Sequence, residues 1–506
     1  MVTLRRRRRT GEEQEEQEQE QEQEQEQEPR VAGGRGARPF AAFLSPPFFR
    51  RVSSAAGSLL RSAFLPSGYP DSVSPDYAPF VFWNAVQGLS SYVRGVLASA
   101  AVFQSLGVGQ QGAAAVHTAL AAATLTAARD AAGTVGGILF AWLQGGSFDA
   151  AAKQWRLFAD VLNDAAMALD LASPLVAARC GARGLLAVAS AAALARALVG
   201  VAAGATGAAL THHFARAGKG RSSPAEIAAK ADSRERAASV VGSLLGVGAA
   251  RACARAGPWS VWFLFAALTA LHVWANAKAM RSLVLDTLTP ARLDLLLAPP
   301  FPTRGGTQAL PPPAELAARE TLLPPPFARA AARARALFGR RRAPTRIRFG
   351  ARLGELLERQ RQRERERGAE EAAALPVGHA LAALRRRSAL PDRYLVGWGG
   401  GRGGDVLVAV RRGGDDDAAA DADARLRAYA HASRLALLAS ASASGAAAAA
   451  RGTGPAAAEG DEGLEQAAAR WAKGEYGRWL RAAEEAGWNV AGGAALLPRP
   501  EHESEW

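Results

Sequence analysis

Residues 67–77, SGYPDSVSPDY, and residues 152–167, AKQWRLFADVLNDAAM, are the stretches whose reading decides the fold. The first is polar and turn-rich, with Pro70 and Pro75 inside it and Pro79 just beyond, immediately ahead of a long apolar region. The second belongs to a helix expected over 148–171. At about 100° per residue, Lys153, Arg156, Asp160, Asn163, Asp164 and Asp170 fall on one side of it. Trp155, Phe158, Val161, Leu162, Ala165 and Leu169 fall on the other. A charged stripe in oily surroundings has two readings. Inside a membrane it must face a cavity, a partner or the interface. In water it is a solvated face, which is what charge runs mostly are, and that is the favoured reading here.

Working outward, helical segments are expected over 83–106, 113–140 and 148–171, the last stopped at Ser173–Pro174. Further apolar segments run over 185–210, 237–250 and 259–275, with a polar stretch over 276–288. No strand-like alternation interrupts them, so this region is all-helical. The run GPWSVWFLFAALTALHVWAN (257–276) nearly spans a bilayer and carries Trp at both ends, with His272 its one ionisable residue. Residues 185–210 have spanning length but contain Arg196, costly at the bilayer centre without a partner. Three glycine pairs, Gly133/Gly137, Gly200/Gly204 and Gly242/Gly246, each put two small residues on one helix face, where backbones can approach closely. Length and belt residues favour a membrane-associated bundle over a soluble one.

The formal charge of +14 raises nucleic-acid binding. Much of the excess sits between Arg329 and Arg393, where Arg alternates with Glu without interleaved aromatics, and no zinc-finger spacing or RNA-binding motif accompanies it. No nucleic-acid partner is expected. Two cysteines, Cys180 and Cys253, cannot build a disulfide framework. His212 and His213 are adjacent and diverge on a helix, so no metal site is expected. Asp71 and Asp76 read as turn and cap residues without a nucleophile or base beside them. The glycine-rich runs 33–36 and 397–404 match neither a phosphate loop nor a dinucleotide fingerprint. No catalytic residue, cofactor site or metal site is assigned, and the chain is expected not to be an enzyme.

Four regions follow. Residues 1–63 hold a run of arginines, a Glu–Gln repeat and an acid-free segment, and read as disordered or targeting-like, with a first amphipathic helix over 50–64. Residues 64–297 form the helical domain, 298–390 a Pro/Arg-rich linker, and 391–506 a small α+β module. That module has a hairpin over 392–410, helices over 424–438 and 464–486, anchors at Trp471, Trp479 and Trp488, and an alanine-rich loop over 439–458. The fold class is mainly α: a multi-helix, membrane-associated bundle with a small α+β C-terminal module and a disordered N-terminus.

The stretches SGYPDSVSPDY, FVFWNAVQGLSSYVRGVLAS (80–99), GGILFAWLQGGSFDAAAKQWRLFADVLNDAAM (136–167), ALVGVAAGATGAALTHHFA (197–215) and NAKAMRSLVLDTL (276–288) resemble the plant root UVB sensitive family. Fainter similarity continues at DRYLVGW (392–398), RLRAYAHA (425–432) and EAGWNV (485–490). The resemblance implies a membrane protein, in some plant members a plastid one, linked to UV-B response, early seedling development, auxin transport and vitamin B6 homoeostasis. It also implies a protein partner from the same family, and it carries over no catalytic residue. Two functions are therefore expected. The leading one is a membrane-associated regulatory or scaffold component that assembles through its glycine faces. The other is a carrier for a small molecule, with Lys153, Arg156, Asp160 and Asp164 lining a polar path.

Overall fold

The computed structural model describes residues 54–106, 113–216, 222–298, 303–304, 307–308, 310–324, 327–328, 330–331, 334, 347–366, 377–398, 405–411, 418–443, 461–490 and 503–504. The disorder expected before residue 54, most of the 439–458 loop and the glycine runs at 33–36 and 399–404 lie outside the described residues. The chain divides after Gly57 into two units, and only the opening turn of one helix is described in the first.

The helical region comprises α1 (Ser54–Phe64), α2 (Tyr77–Ser105), α3 (Ala113–Gln144), α4 (Ala152–Arg216), α5 (Pro224–Ala256) and α6 (Ser260–Ser282). A single 3₁₀ turn, Gly145–Ser147, joins α3 to the approach of α4. Local chemistry sets several ends. Ser223 caps α5 by accepting the Glu226 N–H, with Pro224 in the first turn, where its missing N–H costs nothing. Gly257, at φ 105°, ends the same helix. The expected stop at Ser173–Pro174 is not observed: α4 runs through Pro174, and the non-helical residue is Gly181 (φ 61°, ψ −156°). Ser173 is buried and bonds Ser105 of α2, so packing holds the helix across the proline until a residue without a Cβ can bend the chain.

Helix α2 packs against α4, α5 and α6, and α3 packs along the part of α4 beyond the kink. Glycines set two of these crossings. A Cβ on Gly242 or Gly246 of α5 would lie 2.6 Å from Tyr92 Cβ or 2.8 Å from Val96 Cβ of α2. One on Gly133 of α3 would lie 3.2 Å from the Ala193 carbonyl, and one on Gly137 would lie 3.4 Å from Ala197 Cβ. Gly200 and Gly204 meet nothing within 4 Å. Val73, Tyr77, Leu210, Phe214, Ile227 and Met280 fill one core at the end of the bundle, and Phe148, Trp155, Ala159 and Ala202 fill another.

The outer surface is apolar. Trp142 of α3 (78% exposed), Leu244 of α5 (70%) and Phe263 of α6 (80%) project outward, beside Val135, Ile138, Val161, Leu175, Val240 and Val241. Helices α4, α5 and α6 are long and apolar enough to cross a membrane.

The C-terminal region is built on β3 (Ile347–Phe349), β4 (Tyr394–Trp398) and β5 (Val406–Arg411), with β5 central, parallel to β3 and antiparallel to β4. A short β6 (Glu503–Ser504) pairs with the end of β5; β1 (Thr303–Arg304) and β2 (Thr307–Gln308) form a separate ribbon. Along β4 and β5 the side chains alternate between two cores. Tyr394, Val396, Trp398, Val406 and Val408 meet α11 (Ala418–Ala443), α12 (Asp461–Gly474) and α13 (Tyr476–Glu485). Leu395, Leu407 and Ala409 meet α9 (Leu353–Glu366) and α10 (Val377–Arg387). The segment read as a linker is thus more than a spacer. Its α8 (Pro313–Arg319), β3, α9 and α10 carry Leu316, Phe349, Leu356 and Leu384, all buried, and α7 (Pro290–Leu297) joins the same core. The Arg–Glu helix α9 is solvated on one side only, because Arg363 is buried against Glu465 at 2.6 Å. Trp479 and Trp488 are internal anchors, the latter donating to the Pro311 carbonyl.

Candidate functional site

The charged stripe of α4 faces the interior of the bundle, which sets aside the solvated-face reading. Helical periodicity puts its members on one side, and that side meets α2 and α6 while Val161 looks outward. An apolar exterior around a polar interior inverts the usual amphipathic arrangement.

At the lower end, Lys153, 1% exposed, donates through Nζ to the Leu283 carbonyl and to Glu320 Oε2, both at 2.7 Å. Arg292 of α7 donates to the other Glu320 oxygen and to the Thr287 carbonyl at 2.7 Å. Burial alone would raise the Glu320 carboxyl; the Arg292 and Lys153 charges outweigh it and hold the group below its ordinary value. One turn further, Arg156 lies 3.6 Å from Asp160, and Asp160 accepts from Asn276 of α6. Asn163 is half-buried.

Next comes the densest cluster. Asp164 accepts from Arg94 Nη1 of α2 at 2.6 Å and from His272 Nδ1 of α6 at 2.8 Å. The second His272 nitrogen faces Gln87 Oε1 at 2.6 Å, and Arg94 also reaches Thr269 and the Ser90 carbonyl. Arg94, Asp164 and His272 are all buried, and removing one member of such a set strands the others at several kcal/mol. Finally Asp170 pairs with Arg196, the partner that the sequence left open for this arginine. From Lys153 to Asp170 the ladder climbs about 25 Å at the α-helical rise, against about 30 Å for a bilayer's hydrocarbon core.

A second buried group sits at the head of α2. Asp76 accepts from Ser74, from His213 Nε2 at 2.9 Å and from the Val284 N–H at 2.8 Å. Burial would raise this carboxyl, but the His213 hydrogen bond and charge, Ser74 and Val284 prevail and lower it. Asp76 therefore has the base the sequence did not show beside it, while Asp71 and His212 are exposed. Among the described residues no three His, Cys, Asp or Glu side chains gather as a metal would require, and Cys180 and Cys253 are free thiols.

Sequence periodicity located the α4 side of the ladder. It missed Arg94, Gln87, Asn276, Glu320 and Arg292, because each comes from another element. His272, an isolated ionisable residue in an apolar run, was the one available signal.

Residues 50–301 match the family described as "Vitamin B6 photo-protection and homoeostasis domain". The chain is 41% identical over 235 residues to "Protein root UVB sensitive 3" of Arabidopsis thaliana, covering 46% of this chain and 50% of that protein. It is 34% identical over 279 residues to "RUS family member 1" of Dictyostelium discoideum, covering 54% and 50%. It is 28% identical over 237 residues to "Protein root UVB sensitive 2, chloroplastic" of Arabidopsis thaliana, covering 46% and 50%. The chain thus spans about half the length of these curated relatives. No solved structure matches it. The matched region holds α2 to α6 and the α4 side of the ladder from Lys153 to Asp170, Glu320 lying beyond it, and by these similarities the chain belongs to the root UVB sensitive family.

Proposed function

We propose that this chain is a non-catalytic, membrane-embedded protein of vitamin B6 homoeostasis, and that its polar ladder carries a small polar molecule across the bilayer. One observation carries the reading: the charged stripe of α4 turns inward while the outer faces of α3, α5 and α6 are apolar. In water this arrangement would expose large hydrophobic patches and bury costly charge; in lipid it is the expected one. The family description supplies the metabolic setting, and a plastid membrane is the location suggested by the chloroplastic relative. Asp160→Ala and Arg156→Ala each break a partly buried pair without touching the Arg94 cluster. In cells lacking the endogenous protein, both variants should reach the membrane at normal abundance yet fail to restore vitamin B6 levels. Full restoration by both would contradict the carrier role.

The scaffold reading keeps one specific support. Gly200 and Gly204 face open space, whereas the other two glycine pairs are already packed within the chain. A related subunit could dock on that face. Gly200→Leu should then abolish co-purification with such a partner while the folded chain persists. Unchanged co-purification would count against it.

A further inference from the structure

Arg94 is completely buried, yet its donors are unevenly used. Nε serves the Ser90 carbonyl, Nη1 serves both Asp164 and Thr269, and Nη2 has no hydrogen-bond partner among the described residues. Leaving both Nη2 hydrogens dry is expensive unless an acceptor visits the site. The second observation concerns His272. Its Nδ1 faces Asp164, and its Nε2 faces Gln87 Oε1, whose amide is oriented by donating its own Nε2 to Asn84 Oδ1 at 3.2 Å. An imidazole with an acceptor on each nitrogen satisfies both only when it carries two protons. Arg94 and a protonated His272 then oppose one carboxylate, Asp164. The next rung, Arg156 with Asp160, is already balanced. The cluster thus holds one uncompensated positive charge beside an unused pair of guanidinium donors.

We propose that Arg94, Asp164 and His272 form the binding site for a small oxyanion, held at Arg94 Nη2 and taken up together with the proton on His272. Carboxylate and phosphoryl oxygens are the acceptors that guanidinium N–H groups recognise best. When the anion leaves, the proton leaves with it to water. The Gln87 amide then turns to donate to the bare His272 Nε2, the Asn84 amide turns to donate to Gln87, and Nδ1–H stays on Asp164. A singly charged oxyanion leaves the site balanced in both states, a dianion such as sulfate leaves one negative charge in excess when bound, and only two side-chain amides rotate. The charged groups facing His272 are Asp164 in direct contact, Arg94 through Asp164, and Asp160 one turn away through Asn276. Among the described residues α5 contributes no charged group in contact with it, and Lys278 on its own helix is exposed.

The proposal deepens the carrier reading by naming its substrate class, but its test needs no transport. The full chain, in nanodiscs of a neutral phosphatidylcholine, is titrated calorimetrically with sulfate, which keeps one charge state from about pH 5 to about pH 8, where histidine titrates. The heat measured in buffers of different ionisation enthalpy gives the protons taken up per anion. The expected result is about one proton taken up per sulfate and, by linkage, an affinity that falls as pH rises. Arg94→Gln should weaken sulfate at least tenfold. His272→Gln, which keeps an amide in hydrogen-bonding reach of Gln87 and Asp164, should abolish the proton uptake. With a phosphate-bearing organic probe, pyridoxine 5′-phosphate should bind and pyridoxine should not. Absence of sulfate binding to the folded wild-type chain overturns the proposal, as does binding without proton uptake or binding that survives Arg94→Gln. If Arg94→Gln does not fold, the His272→Gln arm still decides. Binding without transport would remove the carrier function and leave the site standing.

Discussion

His272 and Asp164 face each other across the packing of α6 on α4, the imidazole Nδ1 2.8 Å from the nearer carboxylate oxygen. Both are buried, and Arg94 closes the carboxylate from a third helix. Asp164 is therefore the common anion of α2, α4 and α6. Replacing it with Ala leaves two buried donors without their acceptor, a change that costs about 3–5 kcal/mol in comparable pairs. Thermal unfolding of the detergent-solubilised chain should show a large loss for Asp164→Ala and a smaller one for Asp164→Asn. Asp149→Ala, at an exposed position, should stay within about 0.5 kcal/mol of wild type. Equal behaviour of all three would mean that Asp164 ties nothing together.

The glycine pairs separate into two classes. Gly242→Leu would drive its side chain into Tyr92 and the Leu89 carbonyl, 3.2 Å from the first added carbon, so α5 must leave α2. Size-exclusion chromatography should show little monodisperse protein for Gly242→Leu. Gly200→Leu should elute as folded wild-type-like chain, its effect confined to assembly.

Glu320 ties α4 to the segment beyond α7 through Lys153 and Arg292. Glu320→Ala leaves two cations buried together, and the chain between α6 and α8 should loosen. Limited proteolysis should then open new cleavage sites within residues 283–324, with cuts in α2 unchanged. A wild-type digestion pattern would show that the contact does not restrain that segment.

In the C-terminal module, burial first, with the Lys473 and Arg427 charges adding to it, pushes His431 down to about 3 from its ordinary 6.5. The neutral form is thus the folded one. Above pH 6.5 neither state is protonated and nothing is lost. As pH falls below that value the unfolded chain takes up the proton and the folded chain does not, so stability declines toward the folded pKa. Asp76 and Glu320, held low, lose their contributions only below the ordinary carboxylate range, whereas burial pushes the Asp294 carboxyl up to about 6, so between about pH 4 and about pH 6 its protonation in the folded state offsets part of the His431 loss. Tryptophan fluorescence should show the unfolding midpoint of His431→Gln gaining on that of wild type as pH falls across this window, since the variant keeps only the opposing Asp294 contribution. Identical profiles would contradict the assignment.

Much of this architecture was legible in the residues. The apolar runs marked α2 to α6, the 3.6-residue period placed Lys153, Arg156, Asp160 and Asp164 on one side, and two short strand-like pieces flanking a glycine-rich run marked β4 and β5. The direction in which that side faces was not legible. A charged stripe reads as solvated until its partners are known, and Arg94, His272 and Asn276 lie far away in sequence. The end of the α4 straight segment also escaped, because Pro174 looks like a stop and only packing against Ser105 shows otherwise. The 298–390 segment looked like a linker because its proline and arginine content hid the few apolar residues, Leu316, Phe349, Leu356 and Leu384, that fold it into the second core.

Carbonate extraction of membranes from cells expressing the tagged full chain, followed by protease protection, tests the central claim most directly. The account predicts that the chain stays in the pellet with protected fragments drawn from residues 152–282. Release into the supernatant, with α4 to α6 open to protease, would contradict it and reduce the ladder to the polar core of a soluble bundle.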